Sequence, residues 1–254
     1  MNEKEITNVL KEALESLPYV YAFWIEGSFA TGTADEYSDI DYWVDVDDEK
    51  VTDMLHNVET ALQKIGELDE RDDNSNGHPK LGQIVYHIKG TNPYLVLDFN
   101  WQLHSRDRNE YFYYKNDIVE GAKVIFDKDE IVRFVEIDRK IIANNKNSCR
   151  ADCDYHYSQH FRVQKYILRG TLPECYAYHN RYVIEPLVIM LRLKYTPMYP
   201  HHYLLHISHH IPKADLTRLE KLLKISNLKG FDDGMKDAES WYKELQSEIY
   251  GLEE

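Results

Sequence analysis

An α+β architecture with two parts follows from three features of the sequence. Up to residue 130, apolar residues form short β-branched and aromatic stretches between helical segments; beyond it they recur almost entirely at helical spacing. The charge changes at the same point: residues 1–130 hold 28 acids and 12 bases, residues 131–254 hold 16 acids and 18 bases. Strand patterns lie only on the acidic side. The expected organisation is an N-terminal domain over 1–130, with a mixed β-sheet and flanking helices, and a C-terminal helical bundle over 131–254.

The elements follow in order. Residues 4–16 place Val9, Leu10, Ala13 and Leu14 on one helical face, and Pro18 closes that segment. Residues 19–26 are aromatic and β-branched and predict a buried strand. Gly27 to Ser38 reads as a loop, and 39–46 as a second strand. Helical spacing returns over 49–65, followed by a polar, acidic loop over 66–80. Residues 81–88 and 94–101 predict a strand pair joined around Gly90, Asn92 and Pro93. Residues 123–126 are one more short strand. Helices are expected over 128–145, 155–169, 176–195, 214–225 and 231–249.

Composition removes several classes. Hydrophobic residues make up 43% of the chain and charged residues 29%, which excludes general disorder. A formal net charge of −14 argues against a duplex nucleic acid as partner. No apolar run approaches the ~18 residues of a membrane span, and the opening Met1-Asn2-Glu3-Lys4-Glu5 lacks a signal-peptide pattern. Three Cys are too few for a disulfide scaffold, so a cytoplasmic location is expected.

The chemistry concentrates in Gly27-Ser28-Phe29-Ala30-Thr31-Gly32 and Tyr37-Ser38-Asp39-Ile40-Asp41. A strand enters a Gly-Ser turn, and a second strand starts with two carboxylates that alternation puts on one face. Such a pair repels itself unless a cation lies between, and hard oxygen ligands suit Mg²⁺ with substrate phosphates. Gly27 lets backbone approach phosphate closely, with N–H groups and the Ser28 hydroxyl as donors. Asp98 is the only acid in an apolar strand, and a buried lone carboxylate is costly unless paired or metal-bound. Three carboxylates converge if that strand lies beside 39–46, as two-metal phosphoryl or nucleotidyl transfer requires. The alternatives are a turn or cap for Asp39 and Asp41, and a buried ion pair for Asp98.

Gly27-Ser28, a ten-residue gap, Asp39-Ile40-Asp41 and the distal strand Asp98 resemble the signature of the polymerase-β-type nucleotidyltransferases. Residues 123–129 and the stretch Lys165–Gly170 with the following helix are similar to small bacterial antibiotic nucleotidyltransferases, which modify aminoglycosides or lincosamides. The resemblance implies that Asp39, Asp41 and Asp98 hold two Mg²⁺ ions, and that Gly27, Ser28 and Ser38 bind ATP or another nucleoside triphosphate. It further implies transfer of a nucleotidyl group, adenylyl foremost, to a hydroxyl of a small acceptor with release of pyrophosphate, by a monomer or homodimer.

On the helical side, Lys165 and Arg169 are candidate triphosphate contacts, or plain exposed helix charges. Glu185, an isolated acid before Pro186 in an apolar helix, is a candidate general base or simply the partner of Arg181. Cys149, Cys153, His156 and His160 include zinc-ligand types, yet they share one helix face and could not surround one ion. Arg150 and His156 loosely match a motif of small helical RNases, which chance explains among 12 His. His201, His202, His206, His209 and His210 form a second cluster, with a polar helix face as the simpler reading. A protein or tRNA acceptor, or a non-catalytic nucleotide-binding protein of the same fold, are the alternatives to a small-molecule acceptor.

Overall fold

Helix α1 (Glu3–Leu14) starts from a capping box: the Asn2 side chain accepts from the Glu5 N–H, and the Glu5 carboxylate accepts from the Asn2 N–H. Its Ile6, Leu10 and Leu14, spaced by four, are fully buried. The computed structural model describes residues 2–73 and 77–251, and the chain divides into two compact units, Met1–Ile137 and Asp138–Glu254.

In the first unit six strands form a mixed sheet: β1 (Val20–Ile25), β2 (Ile40–Val46), β3 (Leu68–Asp73), β4 (Leu81–Ile88), β5 (Val96–Leu103) and β7 (Lys123–Asp127), in the order β3-β4-β5-β2-β1-β7. Only β2 and β5 pair in parallel; the other neighbours are antiparallel. A parallel pair needs a crossover. Helix α3 (Val51–Gln63), with β3 and β4, supplies it.

Alternation assigns the two faces. Phe23, Ile25, Tyr42, Val44, Ile84, Tyr86, Leu97 and Phe99 pack with α1 and with Met54, Val58 and Leu62 of α3 into one apolar core. The opposite face carries Trp24, Asp41, Trp43, Asp45, Asp98, Asn100 and Gln102. A small cluster of Ala22, Trp24, Tyr113 and Ile131 covers part of it. There β6 (Tyr113–Tyr114) pairs with β8 (Phe134–Val135).

Three local expectations change. Residues 66–80 are not all loop: Leu68–Asp73 is a strand on the sheet edge, with only Leu68 partly buried. An edge strand exposed on both faces has no apolar alternation to betray it. Residues 74–76 of that segment lie outside the described residues. Gly27–Thr31 forms a short helix, α2, closed by Gly32 in the left-handed region. Helix does not begin at 128, because the Asp127 carboxylate accepts from the N–H groups of Asp129, Ile131 and Val132 and holds them in a turn.

The second unit is all helical: α4 (Arg139–Ser158), α5 (Phe161–Arg169), α6 (Leu172–His179), α7 (Glu185–Tyr195), α8 (Ile207–His210), α9 (Lys213–Leu223) and α10 (Leu228–Tyr250). Asp138 caps α4 through the Lys140 N–H. The stretch expected as one helix over 155–169 is broken at Gln159 and His160. That expected over 176–195 contains a π-helical turn, Asn180–Ile184. Pro186 has no N–H for the carbonyl one turn back, which accounts for the altered winding there. Cys149, Cys153 and Tyr157 line the buried side of α4, and Tyr157 stacks on Tyr242 of α10 at 3.9 Å. Arg192, fully buried, donates to the Tyr203 and Leu205 carbonyls. No helix among the described residues is long and apolar enough to cross a membrane.

Candidate active site

The site grows from the end of β1. Glu26 closes that strand, and its N–H donates to the Asp41 carbonyl at 2.9 Å. The chain then turns at Gly27, whose φ is +60°. A Cβ at Gly27 would stand 2.0 Å from Asp41 Oδ2, so the carboxylate occupies the space that a side chain would fill. Both the backbone angle and the close approach therefore require glycine. Ser28 follows on α2, and its Oγ is buried with no hydrogen-bond partner. A buried hydroxyl left unpaired is an open donor for an incoming anion.

Strands β2 and β5 add the carboxylates. In their parallel register Asp41 lies opposite Asp98. Asp39, two residues before Asp41, is exposed just ahead of the strand. The Gln83 amide donates to Asp98 Oδ1 at 2.6 Å, and Asn100 donates to the same oxygen at 3.4 Å. No hydrogen bond or ion pair from the described residues reaches the Asp41 carboxylate. Burial, then Asp39, Asp98 and Glu26 in turn, push the Asp41 carboxyl up to about 7. Burial and Asp39 also raise Asp98, against the opposing effect of Gln83.

These acids suit a hard cation by donor type. Among the described residues, however, no three His, Cys, Asp or Glu side chains are already gathered in a metal-holding arrangement. The upward displacement of Asp41 comes first from burial and then from the neighbouring carboxylates, and a cation among them would oppose both. The orphaned Ser28 hydroxyl fits the phosphate side of the same ligand.

Ser38 precedes Asp39 directly, whereas Lys165, Arg169 and Glu185 belong to the second unit. Ser38 Oγ accepts from the Asp35 N–H and donates to the Asp35 carboxylate, so it holds the loop between Gly32 and Asp39. Lys165 and Arg169 are exposed on α5 beside the Phe161 and Tyr166 rings, each 5.2 Å from the ring centre. Glu185 is gripped by Arg181, with 2.8 and 2.7 Å to its two oxygens, and Arg181 also donates to His156 Nε2. That ion pair leaves Glu185 a constrained base. Arg150 lies against the Tyr250 ring. The thiols Cys149 and Cys153 are buried and free, and the His201 ring stands 3.9 Å from Cys149 Sγ.

Sequence reasoning missed two supporting groups. Gln83 carried no signal as a polar residue in a strand. Glu26 did: it is the lone acid of an aromatic strand, the same feature that singled out Asp98.

A family model described as a nucleotidyltransferase domain matches residues 6–92. That span runs from α1 through the Gly-Ser turn, β2 and β4. No curated protein matches the chain significantly. Among solved structures, a nucleotidyltransferase-like protein from Exiguobacterium sibiricum is 11% identical, with 98% of this chain and 77% of that one covered, at a TM-score of 0.36. A putative nucleotidyltransferase from H. pylori is 15% identical, with 97% and 98% covered, at 0.31. A STING-associated CdnE c-di-GMP synthase from Capnocytophaga granulosa is 18% identical, with 97% and 83% covered, also at 0.31. These scores are low, and the assignment rests on the family match and the motif it contains. Residues 6–92 are a nucleotidyltransferase domain of the polymerase-β type, and the chain that carries it is a transferase.

Proposed function

We propose that the protein transfers an adenylyl group from ATP to a hydroxyl of a small, amine-bearing acceptor of the aminoglycoside type. The observation that carries this reading is the register of β2 against β5, which sets Asp41 opposite Asp98 beside the Gly27-Ser28 turn. In this reading Asp39, Asp41 and Asp98 hold Mg²⁺. When bound, the ions neutralise the phosphates and the carboxylates that otherwise repel one another.

The chain's own groups account for the remaining steps. Ser28 Oγ and the backbone of the Gly27 turn donate to the phosphate oxygens. Gln83 and Asn100 engage Oδ1 of Asp98 and so fix the carboxylate's orientation. Asp98 takes the proton of the acceptor hydroxyl as the oxygen attacks the α-phosphorus. A new O–P bond forms, the bond to the leaving oxygen breaks, and pyrophosphate departs. Positioning and charge neutralisation supply most of the acceleration in such transfers. The negative potential of Asp39, Asp41 and Asp98 favours a cationic acceptor.

The test is a mass-spectrometric search for nucleotide adducts on a panel of small hydroxyl acceptors, with each nucleoside triphosphate and Mg²⁺ in turn. An adenylylated small acceptor with equimolar pyrophosphate supports the proposal. Label found only on protein or RNA would overturn the acceptor class, and absence of pyrophosphate under every condition would overturn the transfer itself.

A further inference from the structure

One carboxylate at the site has no task in the transfer as described. Glu26 lies across from Asp41 at the end of β1, with its carboxylate set among four aromatic residues. Trp24 Nε1 donates to Oε1 at 3.3 Å, the Tyr111 hydroxyl at 3.2 Å, and the Tyr113 hydroxyl more closely still. Trp43 is the fourth aromatic neighbour of the same carboxylate. All four side chains are neutral. Among the described residues no Lys, Arg or His pairs with Glu26, a condition it shares with Asp41 and Asp98 but not with the sheltered acids away from the site. Glu3 has Lys123 at 3.0 Å, Glu59 has Arg71 at 2.8 Å, and Asp45 has His104 at 2.7 Å. A sheltered carboxylate without a counter-charge is unfavourable, and a cation supplied from outside would relieve it.

The kind of cation follows from the surroundings. Oε1 is already taken by three donors, which leaves Glu26 poorly equipped to join a metal that asks for several oxygens. An ammonium group needs far less: one carboxylate oxygen and apolar walls, where weak screening strengthens the attraction. Trp43 and Tyr111 are half-buried, so the walls are continuous with the solvent-facing side of the sheet that bears Asp41 and Asp98. We propose that Glu26, walled by Trp24, Trp43, Tyr111 and Tyr113, is the subsite that reads an ammonium group on the acceptor. This rests on the nucleotidyl-transfer reading and assigns acceptor selectivity to a residue outside the Asp39, Asp41 and Asp98 set.

The experiment is calorimetric titration of the full-length protein with 2-deoxystreptamine, a diamino cyclitol, and with its N,N′-diacetyl derivative. The diamine is expected to bind roughly tenfold or more tightly than the uncharged derivative. Glu26→Gln is expected to bring the two to the same weak affinity while its thermal melt stays cooperative. Equal binding of the two compounds by the unaltered protein would overturn the proposal without recourse to any variant. Retained preference for the diamine in Glu26→Gln would overturn it as well. Failure of the transfer reading shows itself differently, as loss of Mg²⁺·ATP binding by the unaltered protein.

Discussion

Asp41 and Asp45 stand four residues apart on the same face of β2, yet they have opposite surroundings. Asp45 is buried, with one oxygen bound by the Gln102 amide and the other by His104 Nδ1, each at 2.7 Å. The His104 ring stacks on Tyr21 at 3.6 Å, and its Nε2 faces Asp129. Burial raises the carboxyls of both aspartates. At Asp45 every other neighbour acts to lower it; at Asp41 every neighbour raises it further. The register makes the difference: Asp45 lies opposite Gln102, whereas Asp41 lies opposite Asp98. A carboxylate whose partners are built into the fold supports the fold. One left among like charges is kept for something that arrives.

The largest expected effect strikes only the first of the pair. Asp41→Asn removes a charge that no internal group needs, so folding should survive while nucleotidyl transfer falls about a thousandfold or more. The measurement is pyrophosphate release beside a thermal melt. Asp45→Ala should do the reverse. It strips Gln102 and His104 of their acceptor and should cost about 2–3 kcal/mol, read as a fall in chemical-denaturation stability. If both variants lost activity without loss of stability, the distinction between the two ends of β2 would collapse.

Gly27→Ala sharpens the comparison from the other side. The new methyl group would stand where Asp41 Oδ2 lies, on a backbone with φ of +60°. A cost of about 1–3 kcal/mol is expected, together with loss of transfer. Gly32→Ala, also at positive φ but with open space around it, should cost stability while sparing transfer.

The smallest effect is a pH dependence. The Asp41 carboxyl lies near 7 in the folded chain, above its ordinary value of 3.8. The folded state therefore holds that proton more tightly than the unfolded state, and its contribution to stability is lost as pH rises through about 7. Added Mg²⁺ needs the ionised carboxylate. The rise in melting temperature that it produces should therefore be small at pH 6 and larger at pH 8, and Asp41→Asn should remove that difference. A Mg²⁺ effect that does not vary with pH would separate cation binding from Asp41.

The strands and carboxylates of this site were legible because they leave strong local marks. Asp39-Ile40-Asp41 alternates, Asp98 interrupts an apolar run, and Gly27 precedes a hydroxyl. What escaped depended on distant partners. Gln83 matters only because β4 pairs with β5, a contact that nothing local announces. Strand β3 is charged at every position after Leu68 and becomes a strand only by adding to an edge. Asp127 holds three N–H groups that would otherwise have opened a helix. The π-helical turn before Pro186 is visible in outline, since proline marks it, but the shifted winding is not. Glu26 has the same signature as Asp98, but at a strand end an acid is ordinary and the signature is weaker.

The central claim is that the Asp41 end of β2 performs nucleotidyl transfer while the Asp45 end holds the fold. The most direct test is label transfer from ATP carrying an isotope in its α-phosphate, measured on the unaltered protein, Asp41→Asn and Asp45→Asn at a temperature where all three are folded. The account predicts labelled acceptor from the unaltered protein and from Asp45→Asn, and none from Asp41→Asn. Equal labelling by Asp41→Asn and the unaltered protein would contradict it.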